Sequence, residues 1–143
     1  MSQIIFDPSV VGPWVCAKGG GQWVAGSGTA IGLMGDDGQL KAGVTYDNYN
    51  GANIIAHISA EGSWSGNRKF LWVIFDYPFN QLKVKRITLS IAKSNKKACR
   101  LAKRLGFEIE FVAEDAHPDG DLIIFKMVRA GCRWLELKGF DHG

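Results

Sequence analysis

The hexapeptide Ser63-Trp64-Ser65-Gly66-Asn67-Arg68 sets two hydroxyls, a glycine and an arginine directly ahead of an apolar-periodic segment. A glycine lets backbone approach a ligand closely, and the first amides of a helix are unpaired donors at the positive end of its dipole. Together they suit a phosphate or pyrophosphate. A second group, Ser94 and Asn95 followed by Lys96, Lys97 and Arg100, stands where another helix should begin. There Lys97 and Arg100 could face a second phosphate. The third group is a pair of proton acceptors. His57 carries an imidazole, which needs little help to be neutral near pH 7, and Glu61 opens the polar loop just past the end of the same strand. Either could deprotonate a nucleophile, Glu61 through a water.

Nine of the 17 Lys and Arg residues lie between Lys83 and Arg104, a stretch without one acid, although the whole chain carries only +3. A mild excess with a local basic patch fits a phosphorylated ligand, or an RNA, better than general polyanion binding. The cysteines (Cys16, Cys99, Cys132) and histidines (His57, His117, His142) are scattered and form no CxxC pair. Neither a disulfide framework nor a metal site is encoded. Reduced thiols imply a cytoplasmic protein. Met1 to Val11 has no basic leader region, and the longest apolar run, Phe70 to Phe75, is too short for a bilayer, so no membrane partner is expected.

A chain of 143 residues, 46% of them hydrophobic, fits a single domain with a real core. Residues 1–28 resist assignment. Met1 to Phe6 could be a short strand, Asp7-Pro8-Ser9 a turn or cap, and Gly19-Gly20-Gly21 reads as a loop, since no Lys-Ser or Lys-Thr follows it. From Thr29 the pattern sharpens. Thr29 to Met34, Leu40 to Tyr46 and Asn53 to Ser59, parted by Gly35-Asp36-Asp37-Gly38 and Asn48-Tyr49-Asn50-Gly51, read as an antiparallel meander. Phe70, Leu71, Ile74 and Phe75 mark one helix face, which Pro78 must kink or end.

The strand Val84 to Ala92 follows, then a helix Lys96 to Leu105 with Ala98, Leu101, Ala102 and Leu105 inward and Gly106 as its stop. Two last strands, Phe107 to Ala113 and Leu122 to Val128, meet through His117-Pro118-Asp119-Gly120, and the segment 131–143 is a tail. Asp119 and Asp121 read as turn-shaping acids, and Cys99 as a structural thiol. The order β-β-β-α-β-α-β-β gives an α/β mixed sheet. It is mostly antiparallel, with one parallel pair bridged by a crossover helix and with flanking helices.

The stretch VKRITLSIAKSNKKACRLAKRLGF, from Val84 to Phe107, resembles the GCN5-related N-acetyltransferase (GNAT) pattern of strand, Asn, helix and Leu-Gly-Phe. Asn95, Ala98 and Leu105-Gly106-Phe107 carry that spacing. The following EIEFVAEDAHPDGDLIIFKMVR is similar to the final hairpin of the ribosomal-protein-alanine N-acetyltransferase branch, and FLWVIFDYPFNQL to CRWL resembles phage and proteobacterial GNAT domains. The likeness spans Thr29 to Leu135 and is strongest in the second half.

The resemblance implies acetyl-CoA as cosubstrate and direct attack of a primary amine on its thioester. The amine would belong to a protein N-terminus, a lysine or a small molecule. The family's Arg/Gln-x-x-Gly-x-Gly/Ala loop aligns with Ser63, Gly66 and Arg68, and only Gly66 matches. With Ser65 and Asn67 these form the implied pyrophosphate site, and Asn95 takes the place of the Asn that holds the pantetheine arm or orders the loop. The family's tyrosine acid falls at Ala102, and the serine used by some relatives falls at Ala98. Tyr46, Tyr49 or a water are the remaining acids, and Glu61 and His57 the bases. Two other readings stand beside this one. They are a toxin-like acetyltransferase acting on aminoacyl-tRNA through the basic helix, and a catalytically degenerate fold that binds CoA or a partner. Trp134, with Trp14 and Trp23, could mark a homodimer contact or cover the sheet edge.

Overall fold

In the computed structural model, which describes residues 2–19, 23–61, 67–137 and 139, the meander forms as the turn residues dictate. β1 (Gln3–Ile5), β2 (Gly28–Met34), β3 (Leu40–Asp47) and β4 (Asn53–Ala60) pair antiparallel in succession. The helix α2 (Arg68–Asp76) then crosses over to β5 (Arg86–Ala92), which lies parallel to β4. After α3 (Lys96–Leu105), the hairpin of β6 (Glu108–His117) and β7 (Gly120–Val128) returns with β7 against β5, giving the order β1-β2-β3-β4-β5-β7-β6. The final strands run longer than their alternation suggests, because β6 keeps pairing through irregular register toward His117.

One face of the sheet carries the main core. Val44, Ile54, Leu89 and Phe125 meet Phe70, Ile74 and Phe75 of α2 and Ala102 and Leu105 of α3. The inner stripe of α3 is Cys99, Ala102 and Leu105, with Ala98 only half-buried. Asn67 caps α2 by accepting from Phe70 N at 2.9 Å. Pro78 does not end the helical path. The chain passes into a π-turn, Tyr77–Gln81, whose looser ring accommodates a residue without an amide donor.

The opposite face is covered over β2 to β4 by α1 (Pro8–Lys18), which periodicity does not reveal. PSVVGPWVCAK is apolar on nearly every side and contains Gly12 and Pro13, poor helix formers. Tertiary contact makes it a helix. Asp7 caps it through Ser9 N at 3.0 Å, and Val11 and Val15 sit directly on Gly32 and Gly43. A Cβ at Gly43 would lie 2.7 Å from Val15 Cγ2 and 2.9 Å from Val11 Cγ1. This is why β3 is buried on both faces. Gly43→Val should therefore lift α1 and destabilise the fold by roughly 1–3 kcal/mol. A urea midpoint equal to that of the parent protein would show that α1 does not depend on this contact.

Candidate active site

The parallel pairing of β4 and β5 stops early. It runs from Asn53↔Arg86 to Ala56↔Leu89, yet β4 stays with β3 to Ala60 and β5 stays with β7 to Ala92. The two strands therefore diverge, and their facing edges open a gap through the sheet. Glu61 N donates to Lys41 O at 2.7 Å, so the odd residues of β4 bond to β3 and the even ones face β5. Ile58 and Ala60 thus direct their amides and carbonyls into the gap, with no strand partner among the described residues. Arg86 N donates to Ala52 O at 3.2 Å, which turns Ala92 N–H toward the gap by the same alternation.

A cavity of about 1290 Å³ threads this opening from α3 on one side to α1 on the other. It exceeds the usual volume of a single small-molecule pocket and has room for two substrates. At the α3 end Asn95, Lys97, Arg100 and Arg104 line it. Asn95 Oδ1 accepts from Ala98 N at 3.2 Å and so caps α3, leaving its amide nitrogen as the group free to donate. Lys97 and Arg100 are exposed, with no ion-pair partner among the described residues. Ala102 is buried beside the same cavity, so this position supplies no acid.

His57 and Glu61 both line the cavity but differ in their surroundings. Lys18, at the end of α1, donates to Glu61 and forms an ion pair with it. That hydrogen bond and the lysine charge, with Lys97 and Lys41 adding to it, hold the Glu61 carboxyl below its usual range. That pairing weakens Glu61 as a base. His57 is exposed on β4, opposite Thr45 of β3, and hydrogen-bonds to no described residue.

Other expectations resolve plainly. Tyr46 is fully buried and donates to Ile74 O, and burial raises its phenol well above the ordinary value. Tyr49 donates to Leu82 O at 3.1 Å. Neither lines the cavity. Asn67 and Arg68 lie at the start of α2, outside the cavity lining, and Ser63, Ser65 and Gly66 lie outside the described residues. Cys99 is buried with its thiol on Ala92 O at 3.7 Å, and burial pushes Cys132 up to about 11. Asp121 accepts from Asp115 N at 3.1 Å, as a turn-shaping acid should. Trp134 Nε1 donates to Leu105 O at 2.8 Å, Lys18 sits over Trp14, and Trp23 lies against Gly12, so all three aromatics are engaged within the chain. Sequence pattern carries no sign of Thr45, Asp47 and Cys16 as site residues, because α1 is needed to enclose them.

No protein-family model matches this sequence, and no curated protein matches it. Solved structures do. Mutant forms of the spermidine/spermine N-acetyltransferase SpeG from Vibrio cholerae match with a TM-score of 0.66 and 14% identity, over 91% of this chain and 96% of their own. Ribosomal-protein-S5-alanine acetyltransferase from Vibrio fischeri matches at 0.60 and 18%, over 76% of this chain. This chain spans 64% of the length of that enzyme. A GNAT-family acetyltransferase from Bacillus anthracis matches at 0.56 and 13%, over 69% of this chain and 65% of its own. The fold is that of the GNAT acetyltransferases. Among the described residues no cluster of His, Cys, Asp or Glu could hold a metal ion, and no helix is long and apolar enough to cross a membrane.

The ion pair at the cavity mouth has a defined pH signature. Because Glu61 is lowered from about 4.5 in the fold, its contribution is complete above that pH and is lost as pH falls through the lower folded value. Glu61→Gln should accordingly cost more stability at pH 7 than in acid, the cost shrinking as pH falls below about 4.5, measured by chemical denaturation. A cost that does not shrink with falling pH would assign it to packing.

Proposed function

We propose that this chain is an acetyl-CoA-dependent N-acetyltransferase acting on a primary amine. The observation that carries the reading is the divergence of β4 from β5 past Ala56 and Leu89, which leaves amides of one strand facing an open, two-ended cavity. Those edges can receive the amide-bearing pantetheine arm as a surrogate strand. Lys97 and Arg100 supply charge for its phosphates, with the α3 N-terminus and the Asn95 side-chain amide beside them. The fold shared with enzymes named for acting on ribosomal-protein alanine and on spermidine supports an amine acceptor.

When bound, acetyl-CoA supplies the thioester carbonyl whose C–S bond breaks as the amine N–C bond forms, the sulfur departing as thiolate. His57 takes the proton from the amine nitrogen. The Ile58 or Ala60 amide donates to the carbonyl oxygen as it gains charge. Glu61, kept ionised by Lys18, fixes the end of β4 against α1 and draws α1 over the acceptor side. The proton on His57 then passes to solvent or to the departing sulfur.

Calorimetric titration tests the cofactor half. Acetyl-CoA should bind with micromolar Kd, and Lys97→Glu/Arg100→Glu should weaken it about tenfold or more. An absence of binding at millimolar ligand would remove the enzyme reading. For the chemical half, His57→Ala should lower kcat by about 10²-fold or more and Glu61→Gln far less. The reverse order, read by thiol release, would make Glu61 the base.

A further inference from the structure

The cavity is electrically divided. Its α3 end presents Lys97, Arg100 and Arg104, whereas on the α1 side the one lysine in the lining, Lys18, is already bonded to Glu61. There Asp47 of β3 lines the cavity with no cation bonded to it among the described residues, its one side-chain contact being Asn48 Nδ2 at 3.1 Å. Asp47 and Thr45 alternate onto the same face of β3, and Thr45 stands opposite His57 across the β3–β4 ladder. Cys16 of α1 is close enough for the Asp47 charge to act with burial in raising its thiol.

Thr45 gives the second, independent sign. It lines the cavity at 1% exposure, and its hydroxyl is an unpartnered buried side-chain polar group. An unpaired buried hydroxyl costs stability in a protein that does not use it. Valine is nearly isosteric at this position and would carry no such cost.

We propose that Thr45, Asp47 and His57 form an acceptor subsite for a short aliphatic amine that bears a second positive charge. Asp47 pairs with the remote ammonium group, the Thr45 hydroxyl accepts a hydrogen bond from an amine N–H, and His57 receives the proton from the attacking nitrogen. This rests on the acetyltransferase reading for its chemistry but not for its binding. An amine whose far end is a carboxylate or a phosphate meets Asp47 unfavourably and is the poorer acceptor.

Three amines of equal chain length separate the cases: putrescine, butylamine and γ-aminobutyrate, whose far ends are cationic, apolar and anionic. Putrescine alone, titrated calorimetrically into the full chain without acetyl-CoA, should bind, and Asp47→Asn should weaken it about tenfold. In turnover assays putrescine should exceed butylamine about tenfold in kcat/KM, with γ-aminobutyrate last, and Asp47→Asn should remove the ranking. Thr45→Val should raise KM for putrescine several-fold without lowering Tm, the result a purely structural hydroxyl would not give. Putrescine binding that is undetectable, or equal in Asp47→Asn, overturns the subsite. So does γ-aminobutyrate outrunning putrescine. If acetyl-CoA fails to bind while putrescine binds through Asp47, the transferase reading falls and the diamine site stands.

Discussion

The central cavity of this molecule depends on keeping two neighbouring strands apart. Parallel strands that begin in register tend to zip, because each further residue satisfies backbone donors and acceptors otherwise left open. Here each strand is held from its far side instead. The end of β4 is fastened to β3 through Glu61 N on Lys41 O and to α1 through Ser59 Oγ on Val15 O and the Lys18–Glu61 pair. The end of β5 is fastened to β7 by Lys93 N on Asp121 O, and turns at once into α3 through Asn95 N on Ala92 O. Opposed tethers hold the gap open from both sides.

The same tethers give the cavity two electrically unlike ends. α3 brings exposed cations to one end, and its capped N-terminus adds partial positive charge. α1 contributes Cys16 and Val15 but its single lysine is bonded to Glu61, so Asp47 lines the cavity with no cation bonded to it among the described residues. An anionic carrier and a cationic acceptor would then approach the gap from opposite faces of the sheet. Each is excluded electrostatically from the other's end, which lowers the chance of either blocking the wrong half.

What is legible in the sequence is what a single segment carries by itself. The meander turns, α3 from Lys96 to Leu105 and the order of the later elements rest on Gly, Asn and period, all of them local signals. α1 is not legible. Its Val-rich, Pro-containing segment has no periodic stripe, and what makes it helical is the pair of distant glycines, Gly32 and Gly43, that admit it to the sheet. Without α1 the acceptor wall is hidden too, since Cys16, Thr45 and Asp47 share a site only once that helix lies across β3. Asn95, Lys97 and Arg100 are legible because they sit within three turns of one helix. His57 and Glu61 are legible because one lies on the third meander strand and the other just past its end, though the lysine that tells them apart is on α1.

Unmet polar demand is distributed unevenly, and the unevenness points to the same place. The polar network on the open sheet face is closed on itself: Arg86 clasps Glu110 at 2.8 and 2.9 Å, and Thr88 reaches Asn53 at 2.6 Å. Both α2 and α3 are capped by asparagine. Against that background the open amides of Ile58 and Ala60, the uncommitted imidazole of His57 and the orphan hydroxyl of Thr45 all lie around one cavity. Folding stability selects against the buried Thr45 hydroxyl, and a sequence that satisfies its polar groups elsewhere could have satisfied this one. Its place beside the open edges at the divergence of β4 and β5 is the pattern the proposed function calls for.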